Sequence, residues 1–306
     1  MSKNHYWHDI SRGIAHSIYR CMPDKMYIQM IYYRNFGRFI NWKNPQSFTE
    51  KINWLKVYDR NPLYTVLADK YAVKAWVEKK IGKEYIIESY GVWDKFEDID
   101  FHSLPNSFVL KCTHDCGGIV IVKDKSKFDT NGEAKGFLNK CLSKNSFLPG
   151  REWVYKSVKP RIIAEKYVND NVAEKEGMEG LIDYKFYCFN GVPRFLYVAC
   201  ANYVDGRKND LLSYYNLDFS EAPFTRTDHG ILPFKPLKPV CFDEMIEIAR
   251  TLSEGIPFVR VDLYAISGRP YFSEMTFYPG GGFGAFVPQE WEYEIGNWIK
   301  LPHGES

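Results

Sequence analysis

Two carboxylates, Asp262 and Glu274, and the arginine Arg260 lie within the strands of a stretch, residues 258–283, that otherwise has the pattern of a buried β-hairpin. Side chains alternate between the two faces of a strand, so Arg260 and Asp262 point the same way while the aliphatic residues between them face a core. Glu274 lies in the second strand, after a turn at residues 267–270. Charged side chains in so apolar a hairpin need partners, which makes this stretch a candidate site for chemistry.

The register of the hairpin decides which of these side chains are neighbours. If the loop is odd in length and centred on Gly268, Asp262 lies opposite Glu274 and Arg260 lies opposite Thr276. Two adjacent carboxylates repel unless a cation lies between them. Carboxylate oxygens suit Mg²⁺, which proteins commonly hold together with substrate phosphates. The hairpin therefore predicts a magnesium site, with a solvated sheet edge as the alternative.

Glycine-rich stretches at two places allow backbone amides to approach an anionic ligand. One is the run Gly280–Gly282, directly after the hairpin. The other is THDCGG, residues 113–118, which we predict to be the turn between strands at 108–111 and 119–122. Lys111 ends the first of these strands, and a lysine beside such a turn is how a backbone can fold over a polyphosphate. A flexible hairpin loop is the alternative.

The composition argues against several classes of partner. Lysine plus arginine (40) nearly balance aspartate plus glutamate (38) among 306 residues, so no global positive field recruits nucleic acid. We find no signal-peptide pattern and no stretch of about 18 apolar residues, and we therefore predict a cytoplasmic location. Seven scattered cysteines fit a reducing compartment. Cys112, His114 and Cys116 do not have the spacing of a common zinc site.

The rest of the chain predicts helices and antiparallel hairpins. The predicted elements are a helix beginning at a Ser47–Glu50 capping box, helices over 69–81, 131–144 (capped by Thr130) and 243–253, a strand over 161–168, a hairpin over 183–199 around Asn190–Gly191, and an irregular substrate segment over 201–240. On the helix over 69–81, Lys70 and Lys74 read alone are solvated lysines, and the helix over 243–253 should bury Met245, Ile248, Ala249 and Leu252.

Glu165, inside its strand, needs a donor such as an adenine amino group or a neighbouring lysine or arginine. Residues 1–44 are predicted to form a basic amphipathic helix that packs on its own domain or, as the alternative, lies on an anionic membrane surface. Its apolar residues are Ile14, Ile18, Met22, Met26, Met30 and Tyr33.

The order of these pieces resembles the ATP-grasp superfamily, in which two α+β subdomains clamp ATP. The resemblance covers roughly residues 69–282 and rests on five features in sequence: Asp69-Lys70 at the start of a helix, Lys111 before THDCGG, Glu165 to Val168, Arg260 with Asp262, and Glu274 with Thr276. It implies an α+β ATP-grasp fold with a helical N-terminal region. The implied division is a helical region over 1–105, a lid subdomain over 106–169 and a C-terminal subdomain over 170–306.

The resemblance also implies a role for individual positions. The implied ATP-binding residues are Lys70, Lys111, Gly117, Gly118, Glu165, Lys166, Tyr167, Val168, Asp183 and Lys185. Glu165 would accept the adenine amino group, and Asp183 would bind the ribose. The implied magnesium ligands are Asp262, Glu274 and Thr276, and the implied catalytic residues are Arg260, Lys111 and Gly281. Thr276 stands where many members have asparagine, which is a stronger metal ligand.

Four stretches narrow the resemblance to the TupA-like, teichuronopeptide-biosynthesis group: SFTEKINWLK, ADKYAVKAWV, DYKFYCFNG and GNWIKLP. That group implies a ligase acting in bacterial cell-surface polysaccharide synthesis. It would use ATP to form an acyl-phosphate on a carboxylate, from a uronic acid glycan or sugar nucleotide, and would join it to an amine such as an amino acid. The enzyme would then work in the cytoplasm or at the inner face of the membrane.

Three other functions are compatible with parts of the pattern. A kinase could use the same clamp to phosphorylate a sugar or alcohol without an acyl-phosphate. A glycosyltransferase would fit a polysaccharide locus, but the sequence has no obvious DxD-type motif. A non-catalytic binding module would be expected to have lost the charged residues of the hairpin, and Arg260, Asp262 and Glu274 are all present.

Overall fold

The computed structural model describes residues 21–302 except 116, 171, 176, 177, 205, 206 and 227. The helices are α1 (Asp24–Phe36), α2 (Phe48–Tyr58), α3 (Leu63–Ala68), α4 (Ala72–Ile81), α5 (Glu133–Leu142), α6 (Val172–Lys175), α7 (Phe242–Ser253) and α8 (Gln289–Trp298). The strands are β1 (Ser89–Trp93), β2 (Phe108–Cys112), β3 (Ile119–Val122), β4 (Ile162–Lys166), β5 (Glu179–Phe189), β6 (Val192–Val204), β7 (Arg207–Asn216), β8 (Thr225–Arg226), β9 (Phe258–Ile266), β10 (Arg269–Thr276) and β11 (Phe286–Val287). Short 3₁₀ turns cover Lys83–Tyr85, Phe96–Asp98, Lys125–Lys127, Trp153–Tyr155 and Pro279–Gly282.

A five-stranded antiparallel sheet with the order β10-β9-β5-β6-β7 forms the centre of the molecule. The predicted turn at Asn190 and Gly191 joins β5 to β6, and both residues have positive φ (50° and 81°), as a tight two-residue hairpin requires. One face of this sheet is apolar and packs against α7. Phe186 contacts Phe242 at 5.7 Å between ring centroids there. The buried side of α7 is the predicted one: Met245, Ile248, Ala249 and Leu252.

The opposite face of the central sheet carries charged residues at one side and aromatic rings at the other. Glu274 lies beside Asp262, and Asp262 lies beside Lys185. The same row continues through Tyr197 to Tyr214 on the last two strands. Side chains paired across antiparallel strands share a face, so the register brings the predicted charged residues together on one surface.

A smaller sheet with the order β1-β4-β2-β3 covers part of that surface. It has its own core, which consists of Phe96, Ile99, Leu104, Phe108, Leu110, Cys112, Val122, Leu138, Cys141, Ile162 and Ala164. Strand β1 pairs with β4, so this sheet starts earlier in the chain than the implied lid boundary at residue 106. The division into three regions stays a prediction. That division placed the residues of β1 in the N-terminal region, whereas the strand belongs to the smaller sheet.

The hairpin β9-β10 pairs the predicted residues, but its loop length and register differ from the predicted ones. Asp262 pairs with Glu274 and Arg260 with Thr276, as expected. The expectation of an odd loop is wrong, because Ile266 already pairs with Arg269 across a two-residue turn, 267–268. A shift of register between Phe272 and Glu274 inserts one extra residue into β10. Such a bulge changes which residues face each other, and here it returns both carboxylates to one face.

Two helix starts differ from the predicted ones. The helix expected from Asp69 is regular only from Ala72, although the Asp69 carboxylate accepts from the Tyr71 and Ala72 N–H groups as an N-terminal cap does. The helix expected from residue 131 with a Thr130 cap begins at Glu133 behind Gly132, with no side-chain cap. The capping box at Ser47–Glu50 is confirmed, with both of its hydrogen bonds present.

The segment 201–240, predicted to be irregular, is strand over more than a third of its length. Strand β6 continues to Val204 and β7 (Arg207–Asn216) pairs along it. The aromatic and polar residues of β7 did not alternate clearly, since a strand at the end of a sheet can place either kind on both faces. Only the part after Asn216 is largely irregular in the described chain.

Helix α1 packs through a different face from the one that the sequence predicted. Ile28 and Tyr32 are buried, whereas Met26, Met30 and Tyr33 are exposed. The predicted helix also included Ile14 and Ile18, which lie outside the described residues, and its contact with a membrane surface stays a prediction. Among the described residues, no helix is long and apolar enough to cross a membrane.

Glu292 of α8 joins three segments of the chain beside the glycine run. Its buried carboxylate accepts hydrogen bonds from the N–H and the hydroxyl of Thr49, both at 2.7 Å, and from the Phe286 N–H at 3.0 Å. Burial raises the pKa of this carboxyl, and the hydrogen bonds oppose that rise. Through this one side chain, α8 fixes both the start of α2 and strand β11.

We expect Glu292→Ala to lower the free energy of unfolding by about 3 kcal/mol, because it leaves buried donors of Thr49 and Phe286 without acceptors. Urea unfolding at neutral pH measures this change. Glu290→Ala, at an exposed position of the same helix, is the matched control and should change the stability by less than about 0.5 kcal/mol. Equal effects from the two substitutions would contradict this account of Glu292.

Candidate active site

A cavity of about 500 Å³ is lined by residues of both sheets. The predicted ATP-site residues that line it are Lys70, Lys111, Glu165, Lys166, Tyr167, Val168, Asp183, Lys185 and Glu274. Aliphatic side chains of both sheets form much of the remaining wall: Ile87, Val109, Ile119, Ile121 and Leu181. An apolar cleft with convergent charged groups is the usual form of a small-molecule site, and this volume lies within the range of such sites.

Glu165 lies in this cavity between two lysines. Its carboxylate is 2.6 Å from the Nζ of Lys111 and 2.5 Å from the Nζ of Lys74. Burial raises the pKa of Glu165, but the two ammonium groups outweigh burial and lower it to about 2. Burial likewise lowers the pKa of Lys74, while the charge of Glu165 holds that of Lys111 above its usual value. Glu165 and Lys111 are therefore both charged near neutral pH.

Lys70 connects the two sheets across the cavity. Its Nζ lies 3.1 Å from the Glu274 carboxylate in the central sheet and donates at 3.0 Å to the Asp115 carbonyl in the THDCGG turn. The backbone N–H of Lys70 donates to the Thr113 carbonyl at 3.1 Å. One cation thus contacts the turn and the hairpin, the two segments that the sequence linked to phosphate and metal binding.

Arg260, Asp262 and Lys185 form the buried part of the charged face. Asp262 has no solvent exposure and accepts two hydrogen bonds from the Arg260 guanidinium, at 2.7 and 2.6 Å, and one from the Lys185 Nζ at 2.6 Å. Burial alone would lower the pKa values of both bases, but the neighbouring carboxylates hold them well above their usual values. Arg260 also donates to the Thr276 hydroxyl at 2.9 Å.

Glu274 completes the charged face and lines the cavity. Burial raises the pKa of its carboxyl, but Lys70, Lys185 and Arg260 together lower it far below the usual value. The structure therefore brings Arg260, Asp262, Glu274 and Thr276 into one cluster, of which Glu274 lines the cavity and the other three lie directly behind it.

The two glycine-rich stretches lie outside the lining of the cavity. A Cβ at Gly118 would be 2.8 Å from the Cys112 Sγ, so packing requires a glycine there, whereas a Cβ at Gly117 would meet nothing within 4 Å. Cys116 lies outside the described residues. Gly281 has a φ of 61°, and its N–H donates to the Tyr278 carbonyl at 2.9 Å. That amide closes its own turn in this structure.

A family model described as TupA-like ATP-grasp matches residues 50–300. The chain belongs to the TupA-like ATP-grasp family. This membership confirms the predicted family and the α+β ATP-grasp fold class.

Solved structures with a similar fold include two D-alanine–D-alanine ligases and the ATP-grasp ligase PsnB. The enzyme from Bacillus anthracis is 15% identical over 77% of this chain and 61% of its own, with a TM-score of 0.38. The enzyme from Helicobacter pylori is 13% identical over 78% of this chain and 59% of its own, with a TM-score of 0.43. PsnB, solved with its minimal precursor, is 10% identical over 76% of this chain and 62% of its own, with a TM-score of 0.38.

This chain spans about three fifths of the length of those ligases. Among curated proteins, a sequence search finds no match to it.

The donor set of the ATP-grasp site fits a hard divalent cation only together with phosphate oxygens. Asp262 and Glu274 supply adjacent carboxylates, and in this structure their oxygens accept from Arg260, Lys185 and Lys70. The described residues contain no group of three or more histidine, cysteine, aspartate or glutamate side chains suited to a metal ion. Magnesium is commonly bound by one or two carboxylates plus substrate phosphates, and two carboxylates are what this face offers.

The sequence-based account missed Lys74, which we interpreted as a solvated lysine. It is buried on α4, where it pairs with Glu165 and also donates to the Ile87 carbonyl at 2.7 Å. Its position four residues after Lys70 was a usable signal, since residues at that spacing lie on the same side of a helix. Tyr264 and Ser273 also line the cavity, but no pattern in the sequence distinguished them from structural residues.

We expect Glu165→Gln to lower the free energy of unfolding by about 3 kcal/mol at pH 7, because a pKa of about 2 in place of 4.5 stabilises the folded chain by that amount. A depressed carboxyl pKa stabilises above the unfolded value, and that contribution is lost as the pH falls from 4.5 towards 2. Urea unfolding of both proteins between pH 7 and pH 3 should therefore show the difference shrinking with acid.

The matched control for this prediction is Glu88→Gln, at an exposed position next to β1. It should change the stability little at any pH. A difference between Glu165→Gln and the parent that stays constant from pH 7 to pH 3 would contradict the paired state of Glu165.

Proposed function

We propose that this chain is an ATP-dependent ligase that joins a carboxylate to an amine through an acyl-phosphate. The observation that carries the proposal is the bridge formed by Lys70, which contacts the THDCGG turn on one side of the cavity and Glu274 on the other. A polyphosphate bound at that point would lie within reach of both sheets, as a nucleotide held in a clamp must. TupA-like ATP-grasp membership supports the same class of reaction.

The adenine would occupy the end of the cavity at Glu165, with the backbone of Lys166 to Val168 beside the ring. An ionised carboxylate has about four acceptor positions. Glu165 can therefore accept an adenine amino group while it keeps its bonds to Lys111 and Lys74. Asp183, which also lines the cavity, would bind the ribose.

The phosphates would lie between Lys111, Lys70 and Lys185. Asp262 and Glu274 would hold Mg²⁺, which when bound neutralises phosphate charge. A substrate carboxylate oxygen attacks the γ-phosphorus, the bond from that phosphorus to the bridging oxygen breaks, and ADP leaves with the bond's electrons. Lys70 and Lys111 stabilise the charge that develops on the phosphoryl oxygens.

Amide formation completes the reaction. The amine attacks the acyl carbon, the phosphate group leaves as inorganic phosphate, and the nitrogen loses a proton. Arg260 stabilises the oxyanion of the tetrahedral intermediate, for which its fixed guanidinium is preorganised by Asp262 and Thr276. Gly281 is the other residue that we assign to this step, through the conformation of the run Gly280–Gly282, because its own N–H donates to the Tyr278 carbonyl.

The carboxylate substrate that we propose is a uronic acid of a cell-surface glycan or its sugar-nucleotide precursor, and the amine is an amino acid. A second cavity of about 350 Å³ lies at the β7 edge of the same sheet. Among the aromatic residues that line it, Phe234 is only partly buried, and a ring of this kind can contact a sugar. We place the reaction in the cytoplasm or at the inner face of the membrane.

We expect Glu274→Gln to reduce turnover at least about a thousandfold, because it removes one of the two metal-binding carboxylates and the partner of Lys70. Turnover is measured as ADP release with ATP, Mg²⁺, uronic acids and amino acids, with hydroxylamine present to trap an acyl-phosphate as a hydroxamate. Glu290→Gln is the matched control and should behave as the parent protein does. Thermal unfolding of the variant shows whether the fold survives.

The products separate this reaction from its main alternative. ADP together with a hydroxamate on one carboxylate is the outcome expected of a ligase, and it identifies the activated partner. ADP with a phosphorylated alcohol and no hydroxamate would mean that the clamp serves a kinase. A fully active Glu274→Gln protein would contradict the assignment of the site.

A further inference from the structure

The polar side chains on the buried face of α2 are not explained by the ATP site. Asn53 and Lys56 of this helix have no solvent exposure, although asparagine and lysine are rarely buried without a specific partner. Both belong to the SFTEKINWLK stretch, residues 47–56, which resembles the TupA-like group but has no role in the mechanism above. Their partners are in the glycine run that follows the hairpin.

The ammonium group of Lys56 has three acceptors around it. It donates to the Asn53 Oδ1 at 3.0 Å, to the Gly150 carbonyl at 2.9 Å and to the Gly281 carbonyl. A lysine ammonium has three N–H donors, so every donor has a partner. The ring of Phe283 lies 4.4 Å away and provides a further favourable contact for the charge.

Asn53 holds the next peptide of the same run. Its Nδ2 donates to the Gly282 carbonyl at 2.7 Å and to the Thr49 carbonyl at 2.9 Å. Because its Oδ1 accepts from Lys56, the two side chains form one connected network. Consecutive carbonyls of the glycine run are thus fixed by two neighbouring side chains of one helix.

The glycine run needs such support because its backbone is unusual. Gly280, Gly281 and Gly282 have φ values of 58°, 61° and 74°, a left-handed conformation that a chain rarely adopts for three residues in succession. A Cβ at Gly282 would lie 2.9 Å from Ile52 of α2, so the helix and the run are also in close contact. On the other side, a Cβ at Gly280 would clash with the buried guanidinium of Arg226. The run is held between α2 and Arg226.

We propose that Lys56 and Asn53 are positioning residues, which hold the Gly280–Gly282 run in the conformation needed for amide formation. The effect on turnover rests on the proposed ligase function, in which Gly281 takes part. The effect on the conformation of the run does not, because it follows from the hydrogen bonds alone. The SFTEKINWLK stretch would then serve to anchor the glycine run.

Lys51 provides a matched control on the same helix. Like Lys56, it donates from its Nζ to a backbone carbonyl, that of Ile299, at 3.0 Å. Burial lowers the pKa of the Lys51 amine. Its partner lies after α8, away from the glycine run. Lys51→Met and Lys56→Met therefore remove the same donor group from the same helix, and only the second touches Gly281.

The first measurement is hydrogen–deuterium exchange of the peptide covering residues 278–284 in the protein without substrates. Lys56→Met should speed exchange there by about tenfold or more, because the Gly281 and Gly150 carbonyls lose a buried donor worth roughly 1–3 kcal/mol. Lys51→Met should leave that peptide unchanged. Unchanged exchange in Lys56→Met, or equal acceleration in both variants, would overturn the proposal.

The second measurement separates positioning from general stability. Lys56→Met should lower kcat for amide formation by about tenfold to a hundredfold while KM for ATP changes less than about threefold, because the ATP site is left intact. A rise in KM for ATP with kcat unchanged would overturn the proposed role of Lys56 in amide formation. If the parent protein forms no amide, the ligase function fails, and the exchange measurement still decides whether α2 holds the run. If Lys56→Met does not fold, Asn53→Ala takes its place, with faster exchange of 278–284 as the expected result and parental exchange as the contrary one.

Discussion

The structure depends on keeping buried charges paired. Asp262 is fully buried on a sheet face, and an isolated carboxylate there would cost several kcal/mol. Arg260 and Lys185 both donate to it, and Arg260 also lies 3.4 Å from Glu274, which pairs with Lys70. This network constrains the fold, because it forms only if β10, β9 and β5 pair in one register. The bulge in β10 is the backbone adjustment that satisfies it.

The same requirement explains how the two sheets face each other. Two of the carboxylates that line the cavity receive a lysine from elsewhere in the chain: Glu165 in β4 receives Lys74 from α4, and Glu274 in β10 receives Lys70. Lys70 also contacts the turn between β2 and β3. The charges that make the cavity suitable for a polyphosphate are therefore also the charges that connect the small sheet to the large one.

The sequence predicted the pieces with strong local signals and missed those set by distant contacts. The Asn190–Gly191 turn and the Ser47 capping box were correct because each is determined by a few adjacent residues. The pairing of Asp262 with Glu274 was predicted from an odd loop, although an even loop and a bulge produce it. The pairing of Lys74 with Glu165 was missed because Glu165 is far along the chain, although the spacing of Lys74 from Lys70 already placed both lysines on the same side of a helix.

The carboxylates Glu165 and Glu274 of the cavity are each paired with lysine, which bears on how a nucleotide could bind. A ligand that carries several negative charges would share Lys111 with Glu165 and would compete with Glu274 for Lys70. Each lysine it takes leaves a carboxylate with free oxygens, and those of Glu274 and Asp262 adjoin where the phosphates would lie. A divalent cation that enters with the phosphates can occupy the freed positions. Exchange of partners in this way keeps every buried charge compensated, so binding does not require the site to pass through a state with an unpaired carboxylate.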